Sequence, residues 1–311
     1  MQNKVVTTNR WWVYQRERFP VFAHSPLLLA FSFSAISYSS LLRADSAWPD
    51  LRSIVTAFIT SLIFFLQLRI ADEFKDFAED TQFRPYRPVP SGLVKLHELG
   101  FIGVLGGLTQ FILAWWLQPA LLILLLVAWV YLALMSVEFF AREWLKAKPV
   151  TYLWTHMLIV PLVDFYATGC DWMTPGKSQL DGLWWFLAVS FCNGIVIEIG
   201  RKLRAPEDEE AGVQTYTVLW GRTSAVLVWF SAMFATAIFA VLAAIKIDFV
   251  VPVASVLSIL LCAAAIISLR FLQQPEPKRA KLFELMSGVW TLLMYLSLGA
   301  IPMFVKAGVS R

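Results

Sequence analysis

The stretch SIVTAFITSLIFFLQL (residues 53–68) passes, three residues later, into DEFKDFAEDTQFRPYRPVPSG (residues 72–92). The first part carries no charge. The second opens with five carboxylates in nine residues and continues with arginines set among three prolines. The apolar part decides the fold. A helix needs roughly 18 or more apolar residues to cross a hydrocarbon core of ~30 Å, and this run, taken as residues 53–70, is long enough. Working outward, eight further runs of the same kind lie near 21–42, 97–116, 119–137, 151–169, 182–199, 223–245, 249–271 and 283–304. The run at 151–169 is the least regular, because it holds His156, Pro161 and Asp164.

Composition agrees. Hydrophobic residues make up 58% of the 311 and charged residues 15%, where a soluble domain carries about a quarter charged. The mean hydropathy is +0.64. Backbone polar groups in lipid must be satisfied within the segment, and the alternating pattern of barrel strands is absent, so the runs read as helices. The predicted fold is all-α: one domain over residues 1–311, a polytopic membrane bundle of about nine transmembrane helices.

Charge gives the orientation, because Lys and Arg concentrate on the cytoplasmic side. With a cytoplasmic segment at 1–20, the same face receives the two longest loops, 71–96 and 200–222, and 20 of the 26 basic residues. Arg43, Arg52, Lys177, Lys246, Lys306 and Arg311 fall on the other face. Nine spans then leave the C-terminus outside. The net charge of +4 therefore reads as membrane topology and excludes a nucleic-acid-binding footprint. The expected location is a bacterial inner (plasma) membrane. Cys170, Cys192 and Cys262 show no metal-binding spacing.

The acids in the second part of the opening stretch are regular. Asp72, Asp76 and Asp80 recur every four residues, and each such step turns a helix by about 40°, so the three share one face. Like charges so placed repel. Mg²⁺ offers compensation, since it takes hard oxygen ligands and completes its shell with water and phosphate oxygens. A solvated acidic surface is the alternative. Arg84 and Arg87, held by the prolines, are placed to grip phosphate oxygens.

These residues resemble the first aspartate-rich motif of the UbiA superfamily of intramembrane prenyltransferases, Asn-Asp-x-x-Asp-x-x-x-Asp followed by Arg-Pro-Leu-Pro-Ser-Gly. Asp76 and Asp80 match directly. Glu73 stands for the first aspartate, and Asp72 replaces the asparagine. Arg87, Pro88, Pro90, Ser91 and Gly92 match the second half. The family's second motif, after the sixth span, resembles residues 208–221: Asp208, Gly212, Thr215, Val218 and Gly221 are in register. Its front half departs, because Arg201 and Arg204 stand where the family has acids or amides.

The resemblance implies an enzyme that moves an isoprenyl group from an allylic isoprenyl diphosphate to a lipophilic, aromatic acceptor with Mg²⁺. It implies catalytic roles for Asp72, Asp76, Asp80 and Asp208, and metal ligation by these together with Glu73, Glu198 and Glu207. Arg69, Arg84, Arg87, Arg201, Lys202 and Arg204 are the expected diphosphate ligands. Arg142 and Asn193 are candidates near the acceptor. Glu209 and Glu210 read as solvated, and His156, Asp164 and Asn193 also suit helix–helix hydrogen bonds. A terpene cyclase of the same superfamily is a second reading, which the altered second motif favours. A divalent-cation transporter would need acids along a continuous intramembrane path, whereas these gather at one face. The two loops follow spans two and six, so a repeated helical unit would bring both acidic clusters to one mouth.

Overall fold

The computed structural model describes residues 9–44, 48–174, 181–210 and 212–309. Lys4, one of the 20 basic residues counted on the cytoplasmic face, and Lys177 and Arg311 on the other lie outside them. The described chain is helical, with no strand among the described residues. It begins with α1 (Arg10–Arg18), α2 (Val21–Leu42), α3 (Leu51–Lys75), α4 (Phe77–Phe83) and α5 (Leu96–Leu117). Then come α6 (Leu121–Ser136), α7 (Arg142–Lys146), α8 (Pro149–Met157), α9 (Ile159–Trp172) and α10 (Leu183–Gly200). The last group is α11 (Tyr216–Trp220), α12 (Arg222–Ile245), α13 (Val250–Gln273), α14 (Pro277–Tyr295) and α15 (Ile301–Val309).

Among the described residues, eight segments are long and apolar enough to cross a membrane: α2, α3, α5, α8 with α9, α10, α12, α13, and α14 running into α15. The ninth predicted span is α6, which has 16 residues. It stops because the chain leaves the helix for a left-handed turn at Glu138–Phe140. Span five is broken between Met157 and Ile159. Pro161 lacks the N–H that would bond the carbonyl of residue 157, which accounts for the break.

α2 and α10 are the most enclosed spans, while α5 and α13 turn most of their surface outward. α2 packs on α3, α9 and the π-helical turn Leu296–Ala300 that joins α14 to α15; α10 packs on α9, α12 and α14. The buried face of α2 is lined with small residues, Ser32, Ser34, Ser37, Ser39 and Ser40. Such residues let helix backbones approach closely, which matters in lipid where no hydrophobic drive brings helices together. Gly299 uses this space. A β-carbon there would lie 2.2 Å from the Ser34 carbonyl oxygen. Gly299→Ala must therefore push α2 away from the π-helical turn. It should destabilise the protein by about 1–3 kcal/mol, read as a lower unfolding temperature in detergent. Aromatic rings fill the wider gaps: Tyr38 stacks on Phe186 at 4.7 Å, and Tyr295 meets Phe31 edge-on at 5.0 Å.

α1 does not span. It is too short and too polar, and it lies over α3 and α5. Arg10 pairs with Glu98 in the first turn of α5 at 2.8 Å, and Tyr14 and Phe19 are buried. An apolar groove of about 740 Å³ remains beneath it, lined by Trp11, Tyr14, Phe19, Leu66, Ile70 and Leu99.

Candidate active site

The acidic run sits on helix, not loop. α3 continues past its apolar part to Lys75, breaks at Asp76, and resumes as α4. Backbone bonds from Asp76 N–H to Asp72 and from Asp80 N–H to Asp76, both 2.8 Å, carry the helical path through the break. The three carboxylates nevertheless meet different surroundings. Asp72 is one-third exposed, 3.6 Å from both Arg69 and Lys75. Burial pushes Asp76 above the usual carboxylate range; Asp72, Asp80 and Glu79 push it further, and Lys75 offsets them in part. Asp80 is buried and accepts from Arg84 at 2.9 Å and Arg87 at 2.6 Å.

RPYRPVPSG folds back over the acids, and its two arginines meet Asp80. The turn closes at Gly92, whose φ of +78° suits glycine. Glu73 meets α1, where Arg18 donates to it at 2.5 Å. Arg18 also stands 3.9 Å from Asp80. Sequence reasoning missed this arginine, because it looks like any positive residue on the cytoplasmic side.

In the second cluster Glu198 is buried at the end of α10. It accepts from Arg201 at 2.6 Å and from Lys202 at 2.7 Å. Arg201 lies within electrostatic reach of Asp72 and Arg69, so the two clusters share one mouth. Two more contacts join them. Arg84 reaches Glu210 at 3.7 Å, and the ring of Phe83 packs on Gly212, where a β-carbon would lie 2.6 Å from it. Asp208 has one carboxylate oxygen buried without a hydrogen-bond partner. Glu207 is exposed beside it. Glu209 corrects the expectation of a solvated side chain: it accepts from Thr215 at 2.8 Å and Thr217 at 2.6 Å, which holds the loop closed. The Arg204 N–H donates to Thr217 at 3.2 Å. Arg142 is exposed at the start of α7, and buried Asn193 accepts from Thr291 at 3.2 Å. Asp164 accepts from Tyr295 across helices at 2.7 Å.

A further network backs the mouth. Lys75 donates to the Tyr152 hydroxyl at 2.9 Å, and that hydroxyl donates to Glu138 at 3.2 Å. His156 stacks on Tyr152 at 3.9 Å and places Nε2 3.3 Å from Glu138. Glu138, Phe139 and Phe140 have φ of 52°, 51° and 57°. Left-handed backbone costs a residue with a β-carbon about 1–2 kcal/mol, and three in a row are held here without glycine.

The fit of these residues to Mg²⁺ depends on which carboxylates are free to ligate it. Among the described residues, no three His, Cys, Asp or Glu side chains stand close enough to hold a metal by themselves. Glu73, Asp80 and Glu198 already face guanidinium or ammonium groups. Asp72, whose partners Arg69 and Lys75 stand back at 3.6 Å, Asp76 and the bare oxygen of Asp208 remain. Mg²⁺ is usually held by one or two carboxylates and completed by water and phosphate. The donors fit an ion that arrives with a diphosphate, not a closed protein cage.

Comparison with known proteins bears directly on this arrangement. The UbiA prenyltransferase family matches residues 30–304. The chain belongs to that family. It is accordingly an integral membrane protein and an enzyme of the prenyl-transferring class. A comparison with curated proteins found no match. Among solved structures, this UbiA-family chain is similar to a UbiA homologue from Aeropyrum pernix K1, with TM-score 0.67 and 13% identity over 91% of this chain and 98% of that one. It is also similar to a UbiA homologue from Archaeoglobus fulgidus bound to DMAPP and Mg²⁺, with TM-score 0.55 and 11% identity over 96% and 99% of the two chains. A digeranylgeranylglyceryl phosphate synthase aligns with TM-score 0.58 and 14% identity over 97% and 100%. At these identities the structures speak for a shared fold.

Proposed function

We propose that this UbiA-family enzyme transfers an isoprenyl group from an allylic isoprenyl diphosphate to a lipophilic, aromatic acceptor, with Mg²⁺, at the cytoplasmic face of a bacterial inner membrane. The observation that carries this is the meeting of two charge clusters at one mouth: Asp72 and Asp76 on one side, Arg69 and Arg201 within electrostatic reach.

Asp72 and Asp76 would hold metal arriving with the diphosphate on one side of the mouth, and Asp208 on the other. Bound Mg²⁺ supplies Lewis-acid stabilisation of charge on the diphosphate. Arg69, Arg201 and Lys202 add fixed positive charge around the same oxygens, which favours ionisation of the carbon–oxygen bond. Arg84 and Arg87 can exchange Asp80 for phosphate. The apolar bundle excludes water from the resulting allylic cation, and the acceptor ring attacks carbon 1.

The arginines in the second motif keep a cyclase reading alongside, in which the substrate's own double bonds capture the cation. One assay separates the two. Purified protein in nanodiscs receives Mg²⁺ and isoprenyl diphosphates of several lengths, with and without added acceptor. Diphosphate release that depends on acceptor is the expected result. A cyclic hydrocarbon formed without acceptor would overturn the transferase reading.

A further inference from the structure

We propose that Tyr152, backed by Glu138 and His156, takes the proton that the cation intermediate must lose. The inference rests on the carbocation chemistry proposed above, and it holds for transfer and for cyclisation, since both end by losing a proton.

The geometry supplies a route. The Tyr152 hydroxyl accepts from Lys75 at 2.9 Å and donates to Glu138 at 3.2 Å, which leaves the oxygen one lone pair. Lys75 in turn stands 3.6 Å from Asp72, so Tyr152 is one residue removed from the acids of the mouth. Tyr216 of the second loop lies within electrostatic reach of Tyr152 as well. The ionisable groups facing Glu138 are Lys75 at 3.5 Å and His156 at 3.3 Å.

His156 Nδ1 lies 2.8 Å from the Tyr152 carbonyl, which can accept and never donate, so Nδ1 carries hydrogen. Nε2 then stands 3.3 Å from a Glu138 oxygen, and neither atom has a hydrogen-bond partner. Burial raises the Glu138 carboxyl, but His156, Lys75 and Tyr152 outweigh it and hold the group below its usual range, so its ionised form faces the Tyr152 hydroxyl.

The other buried acids near the mouth are committed: Glu73 to Arg18, Asp80 to Arg84 and Arg87, and Glu198 to Arg201 and Lys202. The left-handed turn at 138–140 has an evident use in this light, because it carries Glu138 off the end of α6 and into the network.

In the step itself, a carbon–hydrogen bond beside the cationic centre breaks and its electron pair neutralises the cation. The proton passes to the Tyr152 oxygen as the hydroxyl proton moves to Glu138. Tyr152 is the catalytic group, and Glu138 and His156 position it.

The test feeds radiolabelled farnesyl and geranylgeranyl diphosphates to the protein in nanodiscs, with a lipid extract of its source cells to supply acceptor. The readout is the ratio of coupled or cyclised product to prenyl alcohol formed by water. In Tyr152→Phe and Glu138→Gln this ratio should fall about 100-fold, with Glu138→Asp recovering part of it. Tyr152→Phe removes one oxygen and keeps the ring, so it guards against a folding defect in Glu138→Gln. A wild-type ratio in either folded variant would overturn the proposal, whatever happens to total turnover. A wild-type protein that releases no diphosphate from either donor would overturn the prenyl-transfer reading itself, which is a separate result.

Discussion

Asp76→Ala is expected to lower diphosphate release by about 100- to 1,000-fold while leaving a folded protein in detergent. Asp76 stands at the break between α3 and α4 and caps neither helix with its side chain. Alanine keeps the backbone path, in which the bonds at Asp76 and Asp80 come from main-chain groups. It also removes one member of a repelling set, since Asp72, Asp80 and Glu79 all press on Asp76. The structural cost is therefore small. The chemical cost is large, because Asp72 and Asp76 are the two carboxylates of the first motif without an arginine salt bridge of 3 Å or less, and Mg²⁺ needs one or two such ligands. Asp76→Asn should behave similarly, with its shape retained and its charge removed. The check is diphosphate release beside the elution profile and unfolding temperature of the same sample. Wild-type turnover in folded Asp76→Ala would remove the metal from its proposed place.

Arg18→Met has the largest expected effect on stability. Arg18 and Glu73 form a 2.5 Å pair with side chains 10% and 1% exposed. Removing one partner of such a pair strands a buried charge, at about 3–5 kcal/mol. Asp80 loses less, since Arg84 and Arg87 still hold it. The expected signature is a marked fall in unfolding temperature, with earlier proteolysis in the segment that joins α1 to α2. Adding Glu73→Leu to Arg18→Met should restore most of the loss, because a buried ion pair replaced by packed apolar groups is often neutral or better. If the double variant is no more stable than the single one, the ion pair is not what fastens α1.

Both predictions turn on contacts of different range, and that range governs how much could be read beforehand. The nine apolar segments were legible because bilayer thickness sets their length whatever their neighbours do. The shortfall of α6 was not, since VEFFAR (residues 137–142) offers no glycine or asparagine to announce a left-handed turn. The first motif was legible because its acids, prolines and arginines lie within 21 residues and obey helical spacing. That Arg84 and Arg87 would close on Asp80 depends on how the turn at Gly92 folds back.

The sequence by itself determined the class, the family and the place of the acids along the chain. Each follows from local pattern: run length, periodicity and motif order. The tertiary structure decided which carboxylates have cations against them and which stand open. Arg18 meets Glu73 across 55 residues, and Lys75 meets Tyr152 across 77. No spacing rule links such positions. They meet because α1 lies across α3 and because the chain turns sharply after α6, and burial then makes each pairing obligatory, since a lone charge in the bundle costs more than any local preference can repay.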